Sequence, residues 1–101
     1  MGNDRQPCVY IFASQKNGTL YIGVTSNLIQ RVHQHKHNVF KGFSEKYNVY
    51  RLVYYELHGT MYAALTREKQ IKKWKRQWKI ELIEQGNKDW RDLHCELIEV
   101  C

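Results

Sequence analysis

Two short apolar runs stand near the start of the chain. Cys8-Val9-Tyr10-Ile11-Phe12-Ala13 and Thr19-Leu20-Tyr21-Ile22-Gly23-Val24 are rich in β-branched and aromatic residues, the composition of strands. Ser14-Gln15-Lys16-Asn17-Gly18 separates them. Asn-Gly tolerates positive φ at both residues, which predicts an antiparallel hairpin. Thr25, Ser26 and Asn27 are three good N-cap candidates. After them Leu28, Val32, Ile29 and the stem of Lys36 fall at helical spacing, so residues 28–37 are predicted to form a short helix. Residues 38–48 contain Gly42, Ser44 and two Asn and are expected to be a loop. Val49–Leu57, VYRLVYYEL, has the Val and Tyr content of a third strand.

His58-Gly59-Thr60 breaks that strand and caps a helix. Met61 to about Trp74 follows, with Ala63, Ala64, Leu65, Ile71 and Trp74 apolar; residues 76–85 continue helically through Ile80, Leu82 and Ile83. Gly86-Asn87 is expected to end that helix with a left-handed cap. Residues 88–99 read as a short turn and a weakly amphipathic tail. The predicted fold class is therefore α+β, in the order β-β-α-β-α-α: a three-stranded antiparallel sheet flanked by helices, in one domain over residues 1–101.

Composition narrows the function classes. No apolar run is long enough to span a bilayer, and Met1–Pro7 has no apolar segment of the secretory kind. Gln6 stands where a myristoylation motif has Ser or Thr. The three cysteines, Cys8, Cys95 and Cys101, have no CxxC spacing, so a disulfide framework or zinc site is not expected and a reduced, cytoplasmic protein is. The net charge of +6 is concentrated. Residues 67–79 hold seven bases (Arg67, Lys69, Lys72, Lys73, Lys75, Arg76, Lys79) against one acid, Glu68, whereas residues 80–101 hold six acids and two bases. A basic stretch interleaved with Trp74 and Trp78 suits a phosphate backbone, because each Lys or Arg contact releases condensed counterions. Lys69, Lys72, Lys73, Arg76 and Lys79 are the candidate nucleic-acid contacts; a solvated helix face is the alternative.

The hairpin places Val9-Tyr10-Ile11 opposite Tyr21-Ile22-Gly23, with Arg31 ten residues after Tyr21 and Glu68 on a later helix. Together with the blocks YIGVTSNLIQRV, FSEKYNVYRLVYYE, REKQIKKWKRQWKIELI and WRDL, these features resemble the small stand-alone branch of the GIY-YIG nucleases, a family that includes the nuclease domain of excision-repair endonucleases. The similarity covers about residues 7–93 and leaves 94–101 as a tail. Here Val-Tyr-Ile replaces the literal Gly-Ile-Tyr. The resemblance implies a metal-dependent endonuclease that hydrolyses phosphodiester bonds in DNA, in repair or processing. Tyr10 and Tyr21 would position and deprotonate the attacking water. A free phenol, with a pKa near 10, is a poor base unless a metal ion or an Arg lowers it. Arg31 would hold the phosphate oxygens through its planar fork of donors. His35, at i+4 from Arg31 on the same helix face, matches a His the family often carries. His33, His35 and His37 cannot share one ion, because alternate helix positions diverge by about 200°. Glu68 would be the sole protein ligand of one Mg²⁺ or Mn²⁺ ion, which keeps its waters and completes its shell with substrate phosphate; an exposed ion pair with Lys72 is the alternative.

One departure bears on activity. In several branches an Asn about twelve residues after the Glu completes the site, and that position here is Ile80. Asn87 is the nearest Asn but also reads as a helix stop. The tyrosine, Arg and Glu set favours an enzyme, and the missing Asn favours a weak or inactive nucleic-acid-binding module of the same fold. A protein partner that supplies substrate choice is a third possibility.

Overall fold

The computed structural model describes residues 6–36 and 51–98. The expected loop at 38–48, His37 and the start of the third strand at 49–50 lie outside these residues. Three strands form one antiparallel sheet: β1 (Cys8–Ala13), β2 (Leu20–Thr25) and β3 (Arg51–Leu57), in the order β2-β1-β3. Helix α1 (Leu28–Lys36) follows the hairpin, α2 (Met61–Lys73) and α3 (Arg76–Gly86) follow β3, and a short α4 (His94–Ile98) ends the described chain. The order β-β-α-β-α-α is as the pattern of residues predicts, and α4 adds a short helix within the expected tail.

The central strand explains its own sequence. Every residue of β1 is fully buried, because helices cover both faces of the sheet. Val9, Ile11 and Ala13 face one cluster, with Ile22, Val53, Ala64, Ile71 and Ile83; α2 and α3 supply its helical side. Cys8, Tyr10 and Phe12 face the other, with Leu28, Val32, Leu52 and Leu93, covered by α1 and the C-terminal segment. A strand buried on both faces reads as a continuous apolar run instead of an alternating one.

The hairpin forms as expected, and local bonds close its loop. Gly18 N–H donates to Gln15 O at 2.9 Å, and Ser14 and Thr19 close the loop through Ser14 N–H to Thr19 O and Thr19 N–H to Ser14 Oγ, each at 3.0 Å. Only Asn17, with φ 60°, takes the left-handed conformation. Asn27 is the cap of α1: its Oδ1 accepts from Gln30 N–H at 3.1 Å and its carbonyl from Arg31 N–H at 3.1 Å. Arg31 therefore stands one turn into α1.

Strand β3 carries a bulge. Ile11 pairs with Tyr54 and Phe12 with Leu52, so Val53 has no opposite residue. Its carbonyl accepts from Asn87 Nδ2 at 3.1 Å. The same amide donates to Arg91 O at 2.8 Å, and its Oδ1 accepts from Arg91 N–H at 2.9 Å. Asn87 is 3% exposed. It ends α3 with φ −145°, so the left-handed cap expected at Gly86-Asn87 is not formed; side-chain bonds do that work instead. The segment after it closes the free edge of β3: Leu93 N–H donates to Leu52 O at 2.8 Å and Arg51 Nη1 to Trp90 O at 3.1 Å. Trp90 is fully buried, with φ 58° and Nε1 donating to Glu84 at 2.7 Å. The tail is thus more integral than its sequence suggests.

Candidate active site

Tyr10, Tyr21 and Arg31 come together on the α1 face of the sheet. Tyr10 pairs across the hairpin with Gly23, and Phe12 with Tyr21. The rings of Tyr10 and Tyr21 stack at 6.4 Å, and Tyr10 meets Phe12 edge-on at 5.2 Å. Arg31 Nη1 donates to Tyr10 Oη at 3.4 Å. Gly23 makes this possible: a Cβ there would lie 2.3 Å from Tyr10 Oη and 2.5 Å from Cζ. The phenol of Tyr10 therefore lies over the backbone of its partner strand, where any side chain would displace it.

Burial divides the roles of the two tyrosines. Tyr10 is fully buried, and burial pushes its phenol up to about 12, Arg31 opposing this only in part. At neutral pH it keeps its proton and does not reach solvent. Tyr21 and Arg31 are half-buried. His35 follows Arg31 by one turn of α1; its side chain lies outside the described residues.

Glu68 is placed apart from this group. It lies on the stripe of α2 that also carries buried Ala64 and Ile71, against the opposite face of the sheet, and α2 packs on β2 and β1. It is 9% exposed, and not the exposed helical pair that its neighbours in sequence suggest. Lys72 Nζ meets its Oε2 at 2.7 Å. The Lys72 side chain is 52% exposed and that of Glu68 12%. Glu68 supplies one anionic oxygen donor of the kind a hard divalent ion takes. Among the described residues no group of three or more His, Cys, Asp or Glu could hold a metal.

The basic residues do not act alike. Lys69 and Lys73 are exposed on α2. Lys72 is paired with Glu68, and Lys79 Nζ donates to Lys72 O at 3.3 Å across the break between α2 and α3. Arg76 Nη2 donates to the carbonyls of Asn17 and Gly18 at 2.8 and 2.6 Å, which ties the first turn of α3 to the tip of the hairpin.

The family model described as the GIY-YIG catalytic domain matches residues 6–81. The chain belongs to the GIY-YIG family. This is a nuclease family, whose substrates are nucleic acids and whose members generally use divalent metal ions. A UPF0213 protein of Staphylococcus saprophyticus is 34% identical over 71 residues, 70% of this chain and 87% of that protein. A UPF0213 protein of Haloquadratum walsbyi is 34% identical over 68 residues, 67% of this chain and 76% of that one. The solution NMR structure of a UPF0213 protein from Bacillus halodurans superposes with a TM-score of 0.55 at 20% identity, over 95% of this chain and 99% of that one, and shares the fold.

Within the GIY-YIG frame, the motif's second Gly now has a steric reason, its approach to Tyr10. A second polar group was not foreseen. Glu56 on β3 accepts from Tyr54 Oη and from Arg67 Nε at 2.9 Å, and meets His58 Nε2 at 2.7 Å. Burial works against the ionised Glu56 carboxylate, but these hydrogen bonds outweigh it and hold its pKa below the ordinary carboxylate range. The signal in the sequence was the i, i+2, i+4 spacing of Tyr54 and Glu56 on one strand face and His58 just past the strand's end. Burial pushes the Cys8 thiol up to about 12, which leaves it protonated and unsuited to attack as a thiolate. Among the described residues no helix is long and apolar enough to cross a membrane.

Proposed function

We propose that the chain is an endonuclease that hydrolyses phosphodiester bonds in DNA with one Mg²⁺ or Mn²⁺ ion, in repair or processing and in the cytoplasm. The observation that carries this reading is the Tyr10–Arg31 hydrogen bond beside the stacked Tyr21, in a chain of a nuclease family. Arg31 presents its fork of donors to the non-bridging oxygens of the phosphate, where charge builds as water adds to phosphorus and the bond to the leaving oxygen breaks. Tyr21, half-buried, orients the attacking water through its phenolic oxygen; bulk water takes the proton that the attacking water gives up and returns one to the leaving oxygen. Tyr10 acts through Arg31: buried and protonated, it fixes the guanidinium and is a positioning residue. Deprotonation of water by Tyr10, expected from the sequence, is not part of this scheme. His35, one turn beyond Arg31, supports the same phosphate. Glu68 would hold the divalent ion, which would supply positive charge to the phosphate; α2, which carries Glu68, packs on β2, the strand of Tyr21. Lys69 and Lys73 hold the nucleic-acid backbone, and Lys72, Arg76 and Lys79 add to it at its edge.

A specific observation favours a second reading. Glu68 is already neutralised by Lys72, as it would be in a binding module of this fold without turnover. Incubation with plasmid, single-stranded and branched DNA, with and without Mg²⁺ or Mn²⁺, separates the two. The nuclease reading expects metal-dependent cleavage of at least one form; binding without cleavage of any leaves the module.

A further inference from the structure

The basic segment after Glu68 holds an aromatic groove that the hydrolytic scheme does not use. Trp74 and Trp78 stand on either side of the break between α2 and α3, their rings edge-to-face at 6.2 Å and 80°. The Arg67 guanidinium lies 5.1 Å from the centre of the Trp74 ring, and the Lys75 ammonium 5.1 Å from that of Trp78. The two rings, Leu82, Glu81 and Gln85 line a groove of about 330 Å³, at the small end of ligand clefts, roughly 300–1,000 Å³. Packing explains Trp74, which lies against the core beneath α2 and α3. It does not explain Trp78, which is 49% exposed.

Charge complementarity selects the occupant. The Lys75 ammonium lies at the Trp78 ring, and Arg76 and Lys79 follow it within five residues of the chain, a basic segment suited to phosphates. The groove floor is aromatic, and every nucleobase has a π-face to stack there. Glu81 adds an acceptor of the kind that takes the exocyclic amino group of a base. Through Arg76 this groove is fixed to the Asn17-Gly18 turn, and Gly18 is three residues from Tyr21, at most about 11 Å along the backbone. We propose that the Trp74–Trp78 groove holds one unpaired nucleobase of the nucleic-acid substrate, stacked on Trp78, with its flanking phosphates on Lys75, Arg76 and Lys79. This rests on the nuclease reading and narrows its substrate to nucleic acid with an unpaired base within a few nucleotides of the cut.

The test compares three fluorescent probes of one sequence: a blunt duplex, the same duplex with a single-base bulge, and the single strand. Binding is measured for the wild type, Trp78→Ala and Trp78→Tyr. Trp78 is exposed, so folding is expected to survive, and circular dichroism checks it. The wild type is expected to prefer the bulged and single-stranded probes. Trp78→Ala should weaken those two about tenfold, within the range for loss of one base stack, leave the blunt duplex unchanged, and keep the salt slope, since no phosphate contact is lost. Trp78→Tyr, which keeps a stacking ring, should restore most of the loss. Equal binding of all three probes by the wild type and Trp78→Ala, or an equal loss on all three, would overturn the groove while leaving the nuclease reading intact. No binding of any probe by the wild type would overturn both. Binding of an aromatic acidic peptide in the groove, with no effect of Trp78→Ala on the nucleic acids, would assign it to a protein partner and also overturn the proposal.

Discussion

Replacing Gly23 with Ala tests the geometry of the site by the sign of a stability change. In a strand interior Gly→Ala ordinarily stabilises by about 0.5–1 kcal/mol, because the unfolded chain loses freedom. Here the new Cβ would stand 2.3 Å from Tyr10 Oη, 2.5 Å from Cζ and 3.0 Å from Cε1. The ring cannot move away cheaply: Tyr10 is fully buried, edge-on to Phe12 at 5.2 Å and stacked on Tyr21 at 6.4 Å. Overpacking of this kind costs about 1–3 kcal/mol. The steric cost exceeds the entropic gain, for a net loss of about 1–2 kcal/mol and a fall in Tm of roughly 4–8 °C per kcal/mol in a domain of this size. Urea unfolding followed by circular dichroism measures it. A double-mutant cycle with Tyr10→Phe locates it: removing the hydroxyl takes away the nearest contact, so Gly23→Ala should cost about 0.5 kcal/mol less in that background. Cleavage should fall with Gly23→Ala, because the displaced phenol no longer meets Arg31. A Gly23→Ala protein as stable as the wild type, or more so, would refute the close approach.

Three further outcomes are expected. The Tyr10 phenol rises from 10.0 to about 12 on folding, so its contribution is fully present below pH 10 and lost as the pH rises through 12. That is about 2–3 kcal/mol over the window, with Cys8 contributing to the same alkaline loss. Thermal melts from pH 9 to 12 should show a shallower decline for Tyr10→Phe than for the wild type, and parallel curves would contradict the assignment. Asn87→Ala should cost about 2–4 kcal/mol, because it strands the Val53 carbonyl and frees Arg91. Cleavage per folded molecule should be kept; loss of cleavage at wild-type stability would make Asn87 a catalytic residue. Replacing Lys69 and Lys73 with Ala should lower the log–log salt slope of DNA binding by about two; an unchanged slope would leave them as a solvated face.

The sequence was informative where one local signal decides the structure. Asn17-Gly18 marked the hairpin, the central run Cys8–Ala13 marked a strand, and Thr60 and Asn27 marked helix starts. It was silent where distant elements meet. Nothing in Gly23 announces that a phenol from the neighbouring strand occupies the space of its missing side chain. Trp90 falls in what reads as a turn and a weakly amphipathic tail, yet it is fully buried and left-handed, because Asn87 and Leu93 fasten that segment to a bulge and an edge that only the folded sheet creates. The site was legible as a set of residue types and not as a geometry. Tyr10, Tyr21 and Arg31 lie together on one face of the sheet, with Tyr10 buried beneath. Glu68 lies against the opposite side of the sheet with Lys72 bound to it, a placement that charge spacing along one helix cannot reveal.

The proposal that Glu68 holds the metal of a protein that cuts DNA is tested most directly by Mn²⁺ titration and DNA cleavage side by side, for the wild type and Glu68→Gln. The substitution keeps side-chain size and removes the charge that a hard cation needs. The wild type is expected to bind one Mn²⁺ ion and to cleave, and Glu68→Gln to lose both while DNA binding is kept or tightened, since an acid has left a basic surface. Equal Mn²⁺ binding and equal cleavage by the two proteins would contradict Glu68 as the ligand, and a wild type that neither binds Mn²⁺ nor cleaves would contradict the nuclease itself.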